Sequence, residues 1–589
     1  MKKTLLFSVA LAGLMLGSCS SSDDLNGGGN NTGSNQSGDG YVAFNINLPT
    51  QSGSSSRAGG SENDQFKDGL ASEYDVKNAT LLLFDGSDES TATFVRGYAL
   101  NTSPWTQKGP DANVTKTSAT IVQKVDAPST NYLALVVLNH NNVFSLDTDG
   151  KITVDGTDLT GLTLSKFMEK TNATIGKSLT ESGFYMANAP LATKGGGSTS
   201  PTGATINTLV SLDGKIKPTE AEASAAPADI YVERGVAKVT MAAPTVSEVT
   251  GSYTNATHPT KVPFKVTSWA LDNTNKSTYL VRSTDGFSTW LDLATKETVA
   301  NPYRFVGSAA VATGLYRTYF AKDPNFDTAG NTGVTFNKAA DTDYSTNFGD
   351  DNPKYCFENT FDVENQNDNK TTRVLIKAQL NSGNTFYVLN GNQNTIYKEE
   401  DVIKEIKNQF LTEYDQWLKD NVATPAKVGE TNVNVTISTA VGKDAGKVTI
   451  TNIELTGVTL KTGSTPLVTS DVVNNVTARL GTIDKYNNGE SYYFVRIKHF
   501  GDDLTPWANG KLGVGTKVYP APDAEANWLG RYGVLRNNWY DIAVEGVKGL
   551  GSAEVPDVTP TTDDELESYI AVRINVLSWA KRTQNATLH

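Results

Sequence analysis

Two positions near the amino terminus have the setting for covalent processing. Cys19 ends the lipobox LGSC of residues 16–19, which follows a basic start at Lys2 and Lys3 and an apolar run. The run is shorter than the roughly 20 residues that a membrane-spanning helix needs, so it indicates a secretion signal. We therefore predict a lipoprotein signal peptide over residues 1–19, with Cys19 acylated as the first residue of the mature chain.

A second processing site is indicated by the segment 51–60, which is rich in serine and glycine and contains one basic residue, Arg57. Exposed loops of this composition are where proteases cut. The bond between Arg57 and Ala58 suits a trypsin-like or Arg-specific protease; the alternative is an ordinary loop arginine. The preceding residues 20–40 are a polar tether, and their acidic start is either an export signal or plain linker.

Residues that commonly catalyse reactions or bind metals are few. Cys356 is the only cysteine besides Cys19, and its aromatic neighbours favour a buried structural thiol over a nucleophile. The four histidines lack metal-ligand spacing, and no phosphate loop or nucleophile elbow is present. We predict no catalytic residue, no metal site and no cofactor. Four acids form either a solvated loop or a weak calcium site: Asp341, Asp343, Asp350 and Asp351.

Charge and aromatic residues restrict the partners. The formal net charge of −13 argues against nucleic acid as the main partner, because phosphate contacts need clustered lysine and arginine. Trp105, Trp507 and Trp528 could stack on sugars if they are exposed; the alternative is that they are buried in a β-sandwich.

Two alternating strands stand out among the elements that position these sites. Residues 41–48 and 569–576 each place four apolar residues on one face at a period of two. The first strand precedes the possible cleavage loop. The second follows a long polar connector and need not fold back onto its own domain. The apolar residues are Val42, Phe44, Ile46 and Leu48 in the first strand, and Ile570, Val572, Ile574 and Val576 in the second.

The remaining pattern predicts an all-β fold. Short apolar runs alternate with segments rich in Thr, Asn and Gly, which favours strands and turns. A change in composition indicates a domain boundary near residue 245. Only residues 401–418 have apolar side chains at helical spacing, so we expect the one long amphipathic helix there. Further strands are predicted at 79–84, 132–138 and 229–240, and a hairpin at 372–378 and 385–389.

The two alternating strands suggest a mechanism. Cleavage at Arg57 would release the strand 41–48 and open a groove, and the strand 569–576 of a neighbouring molecule could fill it by strand addition. Reburying four apolar side chains contributes about 6–12 kcal/mol before the costs of association. A head-to-tail contact of this kind does not close on itself, so copies of the chain would form a filament.

A set of short motifs in a specific order resembles one family. The chain is similar to the fimbrillins of Bacteroidota, the type V pilus subunits, and most similar to the group of minor-fimbria shaft subunits. The matching pieces are the lipobox at Cys19 and the segments 56–59, 136–139, 183–186, 231–239, 269–273, 536–540 and 574–579.

The resemblance implies a fold, a processing route and a role. It implies two transthyretin-like β-sandwich domains, and the helix expected at 401–418 is consistent with an insertion in the second. It implies export as a lipoprotein precursor anchored in the outer membrane, cleavage after Arg57 and polymerisation by strand exchange. It also implies partnership with tip and anchor fimbrial subunits, and a fimbrium on the cell surface that supports adhesion and biofilm. The expected segments are a signal peptide at 1–19, a tether and removable first strand at 20–57, domains at 58–245 and 246–566, and a donor strand at 567–589.

Two other classes of protein fit parts of the same pattern. A surface lipoprotein that binds glycans without polymerising would share the lipobox, the acidic charge and the aromatics, but would not need a cleavable first strand. A secreted β-sandwich hydrolase would need two carboxylates about 5–10 Å apart in a cleft. Binding to a glycan array, or an activity screen on polysaccharides, would separate these two classes from a polymerising subunit.

Overall fold

The chain is rich in strands throughout the part that can be described. The computed structural model describes residues 40–47, 70–73, 75–102, 106–107, 117–175, 183–195, 204–250, 261–286, 306–312, 314–326, 336–361, 368–499, 533–558, 570–577 and 583–584. Strands far outnumber helices in these ranges, which confirms the all-β prediction at the level of fold class.

The first half contains fourteen strands and two helices among its described residues. The helices are α1 (Leu164–Ile175) and α2 (Glu220–Ala225). The strands are β1 (Gly40–Asn47), β2 (Ala79–Asp85), β3 (Thr93–Leu100), β4 (Thr106–Gln107), β5 (Thr117–Val125), β6 (Tyr132–Leu138), β7 (Ser145–Leu146), β8 (Ile152–Val154), β9 (Thr157–Asp158), β10 (Met186–Asn188), β11 (Leu191–Ala192), β12 (Ile206–Asn207), β13 (Val210–Ser211) and β14 (Ala228–Arg234).

The described part of the second half adds nineteen strands and three helices. The helices are α3 (Glu399–Glu413), α4 (Asp415–Asn421) and α5 (Thr469–Leu480). The strands are β15 (Ala237–Met241), β16 (Glu248–Val249), β17 (Val262–Asp272), β18 (Thr274–Asn275), β19 (Val306–Ala312), β20 (Leu315–Thr318), β21 (Phe336–Asn337), β22 (Lys354–Cys356), β23 (Arg373–Leu380), β24 (Phe386–Leu389), β25 (Val422–Thr424), β26 (Val433–Thr439), β27 (Lys447–Leu455), β28 (Thr459–Leu460), β29 (Ile483–Tyr486), β30 (Glu490–Arg496), β31 (Trp539–Val547), β32 (Ile570–Leu577) and β33 (Thr583–Gln584).

The first hydrophobic core is built on a nine-stranded sheet. Its order is β3-β2-β6-β10-β14-β1-β5-β4, with β13 added beside β6. The continuous apolar runs predicted as strands at 79–84 and 132–138 are β2 and β6, which are almost entirely buried. Residues from the second half of the chain also enter this core, among them Leu280, Val281 and Phe357.

The predicted single strand at 229–240 is wrong, because the structure divides it between two cores. β14 belongs to the first sheet, and β15 lies between β22 and β31 in another sheet. The chain passes close to the Tyr185 ring at Gly235, where an added Cβ would lie 2.7 Å from Tyr185 Cδ1. The change of core therefore occurs between Val236 and Ala237, before the predicted boundary near 245.

The second core is shared by two sheets. One has the order β22-β15-β31-β32-β33 and the other β16-β17-β23-β30. Val239 and Ile542 from the first sheet and Val266 and Ile376 from the second belong to the same buried cluster. Trp269, on β17, is fully buried in this core.

The helices of a third hydrophobic core differ from the single helix that was predicted. The sheet β24-β29-β27-β26 is covered by helices that contribute buried side chains such as Ile406, Phe410 and Val476. The predicted single helix at 401–418 is two helices, α3 and α4, which meet at Tyr414. The expectation of only one long helix is wrong, since α1 and α5 each have twelve residues.

The predicted hairpin between 372–378 and 385–389 is also wrong. Both segments are strands, β23 and β24, but β23 pairs with β17 and β30 whereas β24 pairs with β29. The turn between them contains Asn381 and Ser382 at positive φ, 51° and 56°. This turn directs the chain into another sheet, whose strand β24 contributes Phe386 and Val388 to the second core and Tyr387 and Leu389 to the third.

Candidate functional site

The first predicted site strand lies inside its sheet. β1 runs antiparallel to β5 over eight paired residues and parallel to β14 over four. Its beginning also pairs with the segment before α2, because Tyr41 and Lys217 exchange two backbone hydrogen bonds of 2.7 and 2.8 Å. β1 therefore satisfies the backbone groups of strands on both of its sides.

The side chains of β1 fill an apolar groove between β5 and β14. Val42, Phe44 and Ile46, which were predicted to share one face, are 0% exposed and belong to the first core. Ala43 is buried as well, and Leu48 lies outside the described residues. The parallel neighbour β14 contributes Ile230, which pairs with Ile46 and is also fully buried.

The polar contacts of β1 are few and lie at its surface. The Asn45 amide nitrogen donates to Asp229 Oδ1 at 2.9 Å, and Thr120 Oγ1 donates to Asn45 Oδ1 at 2.7 Å. No residue of β1 is charged. Removal of β1 would thus expose apolar side chains and backbone groups without leaving an ion of its own unpaired in the groove.

The second predicted strand folds back onto its own chain. Residues 570–577 form β32, which pairs antiparallel with β31 over eight residues, and β33 pairs with β32 over two. The four predicted apolar residues of β32 lie opposite four residues of β31 that are buried. The pairs are Ile570 with Val547, Val572 with Val544, Ile574 with Ile542 and Val576 with Tyr540. In this structure the strand therefore pairs within its own chain, and its transfer to a neighbouring copy stays a prediction.

The two processing sites lie outside the described residues. Cys19 and the bond between Arg57 and Ala58 are in this group, as are Trp105, Trp507 and Trp528. The next described residue is Leu70, which leads into a short 3-10 turn, Ala71–Glu73. This turn is the nearest described element downstream of the predicted cleavage bond.

A buried ionic cluster holds that turn against the second half of the chain. Glu73, fully buried, has its carboxylate 2.8 Å from Lys238 Nζ and accepts a hydrogen bond from Tyr355. Lys238 Nζ lies 4.0 Å from the centroid of the Trp539 ring. Burial lowers the pKa of Lys238, and the Glu73 carboxylate opposes this shift. The cluster joins the segment behind the cleavage site to β15, β22 and β31.

Further buried ion pairs lie at the same junction. Arg282 Nε is 2.7 Å from Glu233 Oε1, and Arg536 Nε is 3.3 Å from Glu358 Oε2. None of these four residues was predicted from the sequence as part of a site. The signal that could have revealed them is a charged residue inside an apolar run, such as Lys238 between Ala237 and Val239. A charge in that position is buried and must find a partner.

The candidate catalytic and metal-binding residues have structural surroundings. Burial raises the pKa of the Cys356 thiol to about 12, so it is protonated at neutral pH and a poor nucleophile. His140 stacks on Phe144 with a centroid distance of 4.8 Å, and burial lowers its pKa. Within the described ranges, no three His, Cys, Asp or Glu side chains are grouped so that they could hold a metal ion.

An aromatic cavity is one place among the described residues where a glycan could bind. It has a volume of about 240 Å³ and is lined by Tyr486, Tyr492, Tyr493 and Phe494 among other residues. Cations already cover two of these rings. Lys377 Nζ lies 5.6 Å from the Tyr492 centroid, and the Arg373 guanidinium lies 5.0 Å from that of Phe494. Sugar stacking would compete with these contacts.

Comparison with known proteins bears on the carboxyl-terminal region. Residues 517–585 match the family model described as "Major fimbrial subunit protein type IV, Fimbrillin, C-terminal". The resemblance to the fimbrillins is confirmed for this region. The fimbrillin match contains β31, β32 and β33, and with them the segment 536–540 that carries Arg536 and Trp539. It supports a structural protein of fimbriae.

Other comparisons add less. A solved structure of a fimbrial assembly protein from Parabacteroides distasonis ATCC 8503 is 12% identical, and the similarity covers 57% of this chain and 81% of that one. Its TM-score of 0.25 is too low to show a shared fold. A comparison with curated proteins gives no match. None of the described helices has the length and apolarity that a membrane crossing requires.

Proposed function

We propose that this chain is the structural shaft subunit of a cell-surface fimbria that polymerises by donor-strand exchange. In this proposal, Cys19 anchors the exported precursor in the outer membrane, and a trypsin-like or Arg-specific protease cuts between Arg57 and Ala58. The strand 41–48 then leaves, and the strand 567–589 of another copy takes its place. The filament supports adhesion and biofilm and joins tip and anchor subunits.

One observation carries this proposal: β1 is an interior strand whose inward side chains are fully buried and whose sequence holds no charge. Val42, Phe44 and Ile46 together account for about 5–9 kcal/mol of burial that a replacement strand could restore. A strand such as β1 can be exchanged only if the site that it leaves accepts another apolar strand. This groove meets that requirement.

The numbers of strand pairs favour exchange over self-docking. In its own subunit, β32 pairs over eight residues with β31 and over two with the short β33. In the groove, β1 pairs over eight residues with β5 and over four with β14. A donor strand in the groove would thus be flanked by full-length strands on both sides, and it would cover edges that are costly when left open.

The intact precursor is protected in the same way. While β1 occupies the groove, no foreign strand can enter it, so assembly waits for cleavage. The segmental division proposed from the sequence, with a propeptide at 20–57, two transthyretin-like domains at 58–245 and 246–566, and a donor segment at 567–589, is part of this proposal. The change from the first to the second hydrophobic core between Val236 and Ala237 supports a first domain that ends close to the proposed boundary.

The experiment is limited trypsin digestion of the chain from Ser20 onward, followed by mass spectrometry and electron microscopy. We expect one early cut after Arg57, then ladders or filaments. Deletion of residues 570–589 should leave cleavage intact and abolish polymers, because the donor is missing. The matched control is Arg57→Gln, which should keep the chain uncleaved and free of ladders and filaments although its donor strand is present.

Two results would contradict the proposal. One is an Arg57 bond that resists trypsin while other sites are cut. The other is cleaved protein that forms no ladders or filaments whether or not residues 570–589 are present. If this protein then binds immobilised glycans, the alternative of a glycan-binding surface lipoprotein takes first place. Alanine in place of Tyr492 would test whether the aromatic cavity is responsible.

A further inference from the structure

The third core has an open sheet edge. β26, Val433–Thr439, is the last strand of the sheet β24-β29-β27-β26 and pairs with β27 on one side. Among the described residues, no strand pairs with its other side. The open edge is seven residues long, which exceeds the very short edges that proteins commonly leave unpaired.

The apolar layer beneath this sheet is incompletely covered at the same edge. On β27, the inner neighbour, Val448, Ile450 and Ile453 are buried. On β26, the residues facing the same core, Val435 and Ile437, are only half-buried. A further strand beside β26 would bury this apolar layer more completely, because its inward side chains would pack beside Val435 and Ile437.

The edge also lacks the charges that usually discourage pairing. Residues 431–442 contain no charged side chain, although the chain as a whole has a net charge of −13. The edge strands β3, β22 and β30 carry Arg96, Lys354 and Glu490, respectively. Charges on an edge oppose edge-to-edge association, and two acidic copies can approach most closely where they are neutral.

We propose that β26 pairs antiparallel with β26 of a second copy of this chain. The sequence is self-complementary in a register centred on Thr436. In that register Thr436 lies opposite its own equivalent, Asn434 lies opposite Ser438, and Val435 lies opposite Ile437. Directly opposed residues of antiparallel strands project to the same face. The polar residues therefore meet on the outer face and the apolar residues meet over the core.

The result is one continuous eight-stranded sheet built from two four-stranded sheets, with both apolar layers on one side. Val441, which is 89% exposed just beyond the strand, would lie opposite Thr431 of the other copy. A two-fold contact of this kind closes on itself. In a filament made by strand exchange it would join subunits of neighbouring filaments side by side. It does not depend on that exchange, since β26 and β1 lie in different sheets.

The test uses the uncleaved chain from Ser20 onward, in which β1 remains in place and exchange cannot contribute. A Thr436→Cys variant should form a disulfide-linked dimer under mild oxidation, because Cα atoms of opposed residues are about 4.5–5.5 Å apart, within disulfide range. The matched control is Thr451→Cys, on the exposed face of β27 one strand inward, which should stay monomeric. Cys356 is buried and contributes no background.

Sedimentation velocity gives the second readout. The parent chain should show a monomer–dimer equilibrium across a concentration series, and Thr436→Lys should raise its dissociation constant at least about tenfold, because two lysines then face each other. Thr451→Lys should leave the constant unchanged. A parent chain that is monomeric throughout, or equal cross-linking of Thr436→Cys and Thr451→Cys, would overturn the proposal. Neither result bears on strand exchange after cleavage.

Discussion

The strands β1 and β15 occupy equivalent places in the two halves of the molecule and are held in opposite ways. Each lies between an antiparallel neighbour and a parallel one: β1 between β5 and β14, and β15 between β22 and β31. Each contributes three buried apolar side chains on alternate positions to its core. The two strands therefore share a topology, and the difference between them lies in the residues that intervene.

On β1 the intervening residues are neutral: Ala43 is buried and Asn45 reaches the surface. On β15 they are buried and polar. Lys238 pairs with Glu73, and the Thr240 hydroxyl lies 2.9 Å from Asp541 Oδ1 and accepts from Trp539 Nε1 at 2.8 Å. A strand that carries only apolar side chains inward can be replaced by any similar strand. A strand that supplies one half of a buried ion pair cannot, since its loss leaves a charge unpaired.

The largest effect is expected from breaking the β15 ion pair. Lys238→Met leaves the Glu73 carboxylate buried without its cation, and we expect the free energy of unfolding of the uncleaved chain to fall by about 4 kcal/mol. Chemical denaturation measures this. The double variant Glu73→Leu with Lys238→Met should recover part of the loss. A loss below about 1 kcal/mol in the single variant would show that β15 is not held by this pair.

The next effect separates the precursor from the assembled form. Ile46→Ala should lower the free energy of unfolding of the uncleaved chain by about 3 kcal/mol, because it leaves a cavity in the groove. It should not alter filaments formed after cleavage, since β1 is then gone. Ile230→Ala, which changes the residue paired with Ile46, should weaken both forms. Equal damage to both forms by Ile46→Ala would contradict a removable β1.

A third prediction uses pH to distinguish a buried carboxyl group in the second half of the chain from the apolar groove around β1. Desolvation raises the pKa of the buried Asp323 carboxyl to about 7. A carboxyl with a raised folded pKa stabilises the fold below its unfolded pKa, and this contribution is lost as the pH rises through about 7. Relative to Asp323→Asn, the parent chain should therefore lose up to about 1.4 kcal/mol per pH unit between about pH 4 and 7.

Unfolding free energies of both chains at about pH 5 and about pH 8 provide the measurement. The difference between them should move in favour of Asp323→Asn at the higher pH. β1 carries no titratable side chain apart from Tyr41, so the effect of Ile46→Ala should stay constant over the same range. A pH-independent difference for Asp323→Asn would contradict the assignment.

The smallest effect concerns the surface of β1. Asn45→Ala removes the hydrogen bonds with Asp229 and Thr120, and we expect a loss of about 0.5–1 kcal/mol from the uncleaved chain. Thr120→Val serves as the control for one of the two bonds. A loss approaching that of Lys238→Met would mean that β1 is held by polar contacts after all, and the contrast with β15 would fail.

Local patterns in the sequence were sufficient for single strands. The alternation of Val42, Phe44 and Ile46 predicted their common burial correctly, and the runs at 79–84 and 132–138 are the buried strands β2 and β6. Errors arose where the chain changes its sheet. The turn at Asn381 and Ser382 resembles a hairpin turn, yet it leads into another sheet.

Hydrophobicity and its period are properties of each segment, so β1 and the strand at 569–576 could be identified as extended without any knowledge of their neighbours. The partners of these segments could not be identified in this way, because they depend on how the whole chain folds. The structure places β1 between β5 and β14, β32 on β31, and Glu73 beside Lys238 across 165 positions of sequence. Backbone hydrogen bonds and ion pairs can form with many partners, and the packing of the whole chain selects among them.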